Sequence, residues 1–162
     1  MQIRPAEPDE LEAVGELTVA AYVADGYVSA DEPYASELRA ADERASQADL
    51  VVAVDADDTL LGTVTFCLPE SPWAEISRSG EAEFRMLAVA AQARGRGVGA
   101  ALTQWCVDHA REQGCTAVAL SSLGTMYAAH RIYERMGFVR APDRDWWPAP
   151  DTQLIAYLLE LA

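Results

Sequence analysis

The stretch from Glu83 to Gly99 is the part of the sequence that most constrains how the chain can fold. It reads Glu-Phe-Arg-Met-Leu-Ala-Val-Ala-Ala-Gln-Ala-Arg-Gly-Arg-Gly-Val-Gly. In its first half Phe84, Met86 and Ala88 fall on one face at period two, which predicts a β-strand. From Val98 onward the apolar residues follow the period of an amphipathic helix. We therefore predict a central strand, a short glycine-rich turn and a helix.

The turn between this strand and this helix has the composition of an anion-binding loop. Two arginines and two glycines alternate in it, as Arg94-Gly95-Arg96-Gly97. The first N–H groups of a helix lack intrahelical partners and carry partial positive charge, and glycine lets a ligand approach the backbone closely. Arginine adds cationic donors beside those amides. The residues alone predict a phosphate or pyrophosphate site, and an ordinary tight strand-to-helix connection stays open as the alternative.

The spacing of the loop separates it from the common nucleotide-binding loops. The chain contains no lysine, which excludes Gly-x-x-x-x-Gly-Lys-Ser/Thr, and it has no Gly-x-Gly-x-x-Gly followed by a ribose-binding acid. Arg94-x-x-Gly97-x-Gly99, preceded by Leu87-Ala88-Val89, instead resembles the acyl-coenzyme A signature of the GNAT superfamily of N-acetyltransferases. The resemblance implies acetyl-CoA as co-substrate without a metal. It also implies a coenzyme site made of Leu87, Ala88, Val89, Arg94, Gly95, Arg96, Gly97, Val98, Gly99 and Ala100.

A second element carries the same resemblance. The run Ala129-His130-Arg131-Ile132-Tyr133-Glu134-Arg135-Met136-Gly137-Phe138 is similar to the superfamily's Ala-x-x-x-Tyr-x-x-x-Gly-Phe element. The resemblance implies that Tyr133 protonates the coenzyme thiolate as it leaves. A tyrosine hydroxyl, with a reference pKa of about 10, keeps its proton at neutral pH and can donate it to a sulfur anion. The alternative is that Tyr133 is an ordinary helix residue that packs on the sheet.

Met126 is where the sequence departs from the family pattern. Many members carry an asparagine seven residues before the tyrosine, which bonds the pantetheine arm, and this chain has Met126 there. That contact is therefore not carried over. Three alternatives stay open: the contact is absent, a backbone group supplies it, or Ser121 or Ser122 at the end of the preceding predicted strand contributes instead.

The chemistry also requires a group that accepts the proton of an attacking amine. A primary amine with a pKa near 10 is mostly protonated at pH 7, and only its neutral form attacks a thioester. Glu83 on the central strand is the first candidate for this general base, directly or through a water, and Glu81 is the second. The alternative for both is a solvated carboxylate at a strand edge. His109 is expected in the buried stripe of its helix and His130 on a helix surface, so neither is expected to be the base.

The order of predicted elements along the chain, β-α-α-β-β-β-α-β-α-β-β, resembles the arrangement of the superfamily. The resemblance implies an α/β (α+β) fold with a mixed, mostly antiparallel central sheet of about seven strands, a parallel central pair and about four helices. We expect residues 1–162 to form a single domain. Five local predictions are a helix from Pro33 to Ser46, a hairpin from Leu50 to Phe66, an irregular connection from Leu68 to Gly80, a Schellman stop at Gly137 and a loop from Asp145 to Pro148.

Composition limits the classes of partner. The formal charge is −14, with 26 acidic residues against 12 basic ones, all arginine, which disfavours nucleic acid. No apolar run approaches the ~20 residues that span a bilayer, so we expect no membrane partner and a cytoplasmic location. The three cysteines lack metal-ligand spacing and are expected to be reduced, structural thiols; they are Cys67, Cys106 and Cys115.

The resulting functional hypothesis is a direct transfer of an acetyl group from acetyl-CoA to a primary amine in a ternary complex. The acceptor is expected to be a small molecule or a peptide, and its identity cannot be read from the sequence. The resemblance is compatible with a homodimer. One alternative is a non-catalytic acyl-CoA-binding or regulatory domain of the same fold, and another is an unrelated nucleotide-phosphate binder.

Overall fold

The computed structural model describes all residues from Met1 to Ala162 and contains five α-helices and eight strands. The helices are α1 (Leu11–Ala24), α2 (Pro33–Arg39), α3 (Ala41–Gln47), α4 (Val98–Glu112) and α5 (Tyr127–Arg135). The strands are β1 (Gln2–Pro5), β2 (Asp49–Val54), β3 (Leu60–Cys67), β4 (Glu81–Val89), β5 (Ala117–Leu123), β6 (Val139–Arg140), β7 (Trp146–Ala149) and β8 (Thr152–Glu160). The chain forms two compact units, unit 1 (Met1–Phe66 and Met86–Trp105) and unit 2 (Cys67–Arg85 and Cys106–Ala162), and β4 and α4 contribute residues to both.

The sheet of unit 1 has the strand order β1, β2, β3 and the second half of β4. β1 is antiparallel to β2, and β2 is antiparallel to β3. The predicted hairpin is confirmed, because β2 and β3 pair from Asp49 opposite Phe66 to Val54 opposite Leu60. Its tip is a polar turn in which the Asp55 carboxylate accepts N–H bonds from Asp57 and Thr59.

The first three helices of unit 1 show where the sequence prediction was wrong. The predicted single helix from Pro33 to Ser46 is broken into α2 and α3 at Ala40, whose ψ of 57° is not helical. The buried Arg44 explains how the break is stabilised, since its guanidinium donates hydrogen bonds to the carbonyls of Glu37 and Leu38. Carbonyls at the end of a helix lack intrahelical hydrogen-bond donors, and here the Arg44 side chain of the next helix supplies donors.

A glycine allows close packing between β3 and α4 within unit 1. A Cβ atom at Gly62 would lie 2.8 Å from the Ala88 carbonyl oxygen and 2.9 Å from a Val98 methyl carbon. Only glycine fits there without a shift of its neighbours. Further along, the rings of Phe66 and Trp105 meet edge to face at 5.8 Å. The start of α4 is therefore fixed against the sheet of unit 1.

The sheet of unit 2 has the strand order β4, β5, β8 and β6, with β7 also paired to β8. β4 and β5 are parallel from Glu81 opposite Ala117 to Glu83 opposite Ala119, which confirms the predicted parallel pair. β5 and β8 are antiparallel, as are β8 and its other neighbours. The fold class is thus a mixed, mostly antiparallel α/β sheet, with eight strands and five helices where about seven and about four were predicted.

The additional strand is β7, which contradicts the predicted loop from Asp145 to Pro148. Trp146 pairs with Leu154, and Ala149 pairs with Thr152, across a tight turn. Proline cannot donate to a sheet ladder and is tolerated in an edge strand, which is how Pro148 is accommodated. The predicted irregular connection after β3 is confirmed, because residues 68–80 contain neither helix nor strand.

Candidate active site

The glycine-rich loop begins where β4 ends and closes onto the first turn of α4. A short 3-10 turn, Ala91–Ala93, leads into Arg94, and both Gly95 and Gly97 have left-handed φ angles of 77° and 78°. The Ala101 N–H donates to the Gly97 carbonyl at 3.0 Å, so the helix starts immediately after Gly97. The amides of Val98, Gly99 and Ala100 therefore belong to the first turn, which lacks intrahelical acceptors.

The space around these glycines tests whether the loop fits a bound coenzyme. A Cβ atom added at Gly95 or at Gly97 would meet no atom within 4 Å. The two glycines are thus required by their backbone conformation and leave open space beside the loop amides. Open space, free amides and the positive end of a helix dipole together fit a pyrophosphate group.

The two arginines of the loop differ in their surroundings. Arg94 forms a bidentate ion pair with Asp25, with N···O distances of 2.6 and 2.9 Å. This pairing raises the pKa of Arg94 above its ordinary value. Arg96 is exposed. The signature arginine therefore has an acidic partner within the protein, which the sequence pattern does not reveal.

The last part of β4 contains the three residues that the resemblance assigns to the pantetheine arm. Ala88 is buried, whereas Leu87 and Val89 are half-buried. Met86, just before them, has a φ of 55°, a left-handed value that is rare for a long side chain within a strand. Such an irregularity is typical of a bulge, which re-aims the residues that follow it.

Glu83 is fully buried and holds the connection that precedes its own strand. Its Oε1 accepts N–H bonds from Ile76 and Ser77, both at 2.8 Å, and the Glu75 N–H is shared between the two carboxylate oxygens at 3.0 Å. The alternative of a solvated carboxylate at a strand edge is therefore wrong for Glu83. A buried carboxylate is stable here because backbone amides replace its water shell.

Two further residues on the same face of β4 also bind the segment 68–80. Glu81, which is buried, accepts a hydrogen bond from the Arg78 N–H at 2.7 Å and forms an ion pair with Arg144. The hydrogen bonds from Arg144 are the main cause that lowers the pKa of Glu81, so Glu81 is a poor proton acceptor. Arg85 pairs with Glu75 at 2.9 Å and lies over the Trp73 ring at 5.6 Å. The segment is thus attached to β4 at alternate residues.

Tyr133 lies in an aromatic cluster of unit 2. It is 5% exposed, and its ring centroid lies 5.9 Å from that of Phe84, 5.8 Å from Phe138 and 5.9 Å from Tyr157. Burial is the main cause that raises the pKa of Tyr133 well above its ordinary value. The phenol therefore keeps its proton throughout the physiological pH range. The helix that carries it ends at Gly137, with the Phe138 N–H bonded to the Tyr133 carbonyl, which confirms the predicted Schellman stop.

A buried polar pair lies on α5 and β5, and it contradicts the predicted surface position of His130. His130 is 7% exposed, and its Nε2 lies 3.0 Å from the Ser122 Oγ. Ser122 also lies 3.4 Å from the sulfur of Met126, at the start of the helix. The helical period alone does not predict that His130 is buried. It is the ring of Tyr157 on another element, with its centroid 5.3 Å from that of the imidazole, that covers His130. Burial is the main cause that lowers the pKa of His130.

The structure brings some of the predicted residues together within each unit and adds one that sequence reasoning missed. In unit 1 the loop from Arg94 to Ala100 is continuous with the start of α4. In unit 2 Tyr133 packs on Phe84, which follows Glu83 in β4. The missed residue is Asp25, which lies 69 positions before its partner Arg94. No local pattern links two residues so far apart.

Comparison with known proteins agrees with these motifs. The profile of the Acetyltransferase (GNAT) family matches residues 12–138, which is more than three quarters of the chain. The chain belongs to this family. The match includes the glycine-rich loop and ends at Phe138, the last residue of the second motif. This GNAT family member also shares its fold with solved structures.

A GCN5-related N-acetyltransferase from Kribbella flavida is 28% identical, with a TM-score of 0.71 over 99% of this chain and 97% of that one. A Salmonella typhimurium protein solved with acetyl-CoA as its cofactor is 20% identical, with a TM-score of 0.68 over 100% of this chain and 94% of that one. Mycothiol acetyltransferase of Saccharopolyspora erythraea is 33% identical over 93 residues, which is 57% of this chain. The matched part spans only 28% of that protein.

Three further features of the GNAT family member concern metal binding, its cysteines and its helices. No group of three or more His, Cys, Asp or Glu side chains is arranged to hold a metal ion. All three cysteines are free thiols, and burial raises the pKa of Cys67 to about 12. None of the helices has the length and apolar character that a membrane-spanning segment requires.

Proposed function

We propose that this protein transfers an acetyl group from acetyl-CoA to a primary amine by direct attack in a ternary complex. Bound acetyl-CoA would supply an activated thioester. The observation that carries the proposal is the glycine-rich loop, in which two left-handed glycines leave open space beside the first-turn amides of α4. Family membership supports the same cofactor.

We assign the binding of the pyrophosphate to the loop amides from Gly95 to Ala100. These donors point from a helix start, where the dipole favours anions. We assign the pantetheine arm to the backbone of Leu87 and Val89, after the irregular Met86. An extended ligand can hydrogen-bond to the backbone of a strand in this position as an added strand does. An N–H of the same segment would polarise the thioester carbonyl.

We assign general-acid catalysis to Tyr133. Its pKa is raised by burial, so the hydroxyl carries a proton at the pH at which the reaction runs. The rings of its three aromatic neighbours, with centroids within 6 Å, restrict the orientation of the Tyr133 ring. A fixed, protonated hydroxyl is suited to donate to a departing thiolate.

We assign acceptance of the amine's proton to Glu83, through a water. Of its two carboxylate oxygens, Oε2 accepts only the shared Glu75 N–H, whereas Oε1 also accepts those of Ile76 and Ser77. Oε2 therefore keeps capacity for a further hydrogen bond. Because Glu83 is fully buried, a water is needed to carry the proton to it.

The acceptor is a primary amine of a small molecule or a peptide, and we expect the protein to act in the cytoplasm. The test is release of the coenzyme A thiol from acetyl-CoA in the presence of polyamines, amino acids, aminoglycosides and peptides, with mass spectrometry of the acetylated product. The proposal predicts amine-dependent thiol release with at least one class. Binding of acetyl-CoA without turnover on any amine would favour a non-catalytic acyl-CoA-binding domain. Preference for ATP over coenzyme A would favour a nucleotide-phosphate binder.

A further inference from the structure

Arg94, the first residue of the glycine-rich loop, contacts another part of unit 1 through its ion pair with Asp25. Both terminal nitrogens of Arg94 donate to Asp25, one to each carboxylate oxygen, at 2.6 and 2.9 Å. A planar, bidentate pair of this kind fixes orientation as well as distance. The side chain that the family signature requires is therefore engaged with a residue of this chain.

Asp25 is itself held in a defined position at the end of α1. The Tyr27 N–H donates to the Tyr22 carbonyl and the Gly26 N–H donates to the Val23 carbonyl, and Gly26 has a φ of 75°. This is the Schellman arrangement, which ends a helix in a single conformation. Tyr27 then packs edge to face on Tyr22 at 6.3 Å. The carboxylate that holds Arg94 thus projects from a rigid helix end.

The loop that Arg94 begins needs such a support. Two of its residues, Gly95 and Gly97, are glycines in left-handed conformations with open space around them. Glycine loses more conformational freedom on folding than any other residue, so a loop of this composition is not rigid by itself. At its two ends the loop is held by backbone hydrogen bonds, from the Arg94 N–H to the Ala91 carbonyl at 3.4 Å and from the Ala101 N–H to the Gly97 carbonyl at 3.0 Å.

Both charges of the ion pair act on the phenol of Tyr27. Burial raises the pKa of the Tyr27 phenol, Asp25 raises it further, and Arg94 lowers it. Both members of the ion pair therefore lie within electrostatic range of the same hydroxyl. With 32% and 43% of their side chains exposed, Asp25 and Arg94 remain accessible to solvent, so the effect of removing one is modest.

We propose that Asp25 is a positioning residue for coenzyme binding, which holds Arg94 so that the glycine-rich loop keeps the one conformation in which its amides meet the pyrophosphate. This inference rests on the proposed function of the loop. It assigns Asp25 no contact with the coenzyme. It also implies that Arg94 contributes through Asp25, and not as a direct counterion of the phosphates.

The test compares Asp25→Asn with Asp25→Glu and with Glu16→Gln. Glu16 forms a matched exposed ion pair with Arg39 at 2.7 Å on the same helix, α1, and serves as the control. Coenzyme A binding is measured by titration calorimetry, and hydrogen exchange of the peptide covering residues 90–100 is measured in the ligand-free protein. We expect Asp25→Asn to weaken coenzyme A binding about 3- to 10-fold and to speed exchange in that peptide. Asp25→Glu is expected to restore most of the affinity, and Glu16→Gln to change neither readout.

A second comparison separates this inference from a purely structural role. In an Arg94→Gln background, Asp25→Asn is expected to cause no further loss of affinity, because the pair acts as one unit. Unchanged loop exchange in Asp25→Asn would overturn the inference whether or not coenzyme A binds. Tighter binding in Asp25→Asn would also overturn it, since Asp25 would then compete with the phosphates for Arg94. If the wild type binds no coenzyme A while loop exchange still depends on Asp25, the proposed function of the loop fails and the positioning of the loop by Asp25 stands.

Discussion

The carboxylate of Glu83 accepts the backbone N–H of Ile76 at 2.8 Å. A side chain in the middle of the central strand thereby holds a segment that precedes it in sequence. The same carboxylate takes the amides of Glu75 and Ser77, so a fully buried charge is satisfied by backbone donors alone. This relationship makes Glu83 the support of the segment 68–80 as well as the candidate base, and the two roles can be separated.

Replacing Glu83 by glutamine tests its role as proton acceptor. The change keeps the size of the side chain and removes the carboxylate, so we expect turnover to fall by about 100-fold or more. We also expect the dissociation constant of coenzyme A to stay near the wild-type value, because the change removes only the proton acceptor. Glu70→Gln, an exposed carboxylate in the same segment, is the control. Turnover within about threefold of the wild type would mean that Glu83 only supports the segment.

Replacing Glu83 by alanine tests its role as support. The substitution leaves three amides without their acceptor and removes a buried charge from its donors. We expect the free energy of unfolding to fall by about 3 kcal/mol, measured by urea denaturation. Glu70→Ala is expected to change it by less than about 0.5 kcal/mol. Equal stability of the two variants would show that the segment does not depend on Glu83.

Replacing Tyr133 by phenylalanine tests the general acid. The ring and its contacts with Phe84, Phe138 and Tyr157 are kept, and only the hydroxyl is lost. We expect turnover to fall by about 100-fold, with the dissociation constant of coenzyme A nearly unchanged. Tyr127→Phe, at a tyrosine that is 63% exposed on the same helix, is the control. Turnover equal to that of the wild type across a pH series would remove Tyr133 from the mechanism.

The buried His130 predicts a pH dependence of stability. Its pKa is lowered in the folded protein by burial, while the charges of Glu134 and Arg140 act on it in opposite directions. The folded state therefore binds fewer protons than the unfolded state, whose histidine has a pKa of about 6.5. This contribution to stability is complete above about pH 6.5 and is lost as the pH falls below it. Thermal unfolding between pH 8 and pH 5 is expected to show this slope, and His130→Gln is expected to reduce it. An identical slope in the variant would contradict the assignment.

The sequence predicted those parts of the molecule that depend on local patterns. The strand, loop and helix from Glu81 to Glu112 follow from a change of apolar period at one point, and the stop at Gly137 follows from short-range turn chemistry. The break at Ala40 was missed, because Arg44 stabilises it by contacts across a turn. Pro148 suggested a loop, although pairing with β8 makes the segment an edge strand.

The site was predictable to the same extent. Its motif residues could be named from their spacing, whereas the partners that fix them could not, because those partners are distant in sequence. Asp25 meets Arg94, and Arg144 meets Glu81, over separations of 69 and 63 residues. The site assignments themselves and the single-domain organisation of the chain stay predictions.

Titration of coenzyme A into the wild type and into Gly97→Glu tests the central proposal most directly. Gly97 has a left-handed φ of 78° and open space around it, so a glutamate there would strain the loop and bring a negative charge into the place assigned to the pyrophosphate. We predict one coenzyme A per chain for the wild type and no measurable binding for Gly97→Glu, with circular dichroism showing that the variant is folded. Wild-type affinity in a folded Gly97→Glu variant would contradict the proposal that this loop binds the coenzyme.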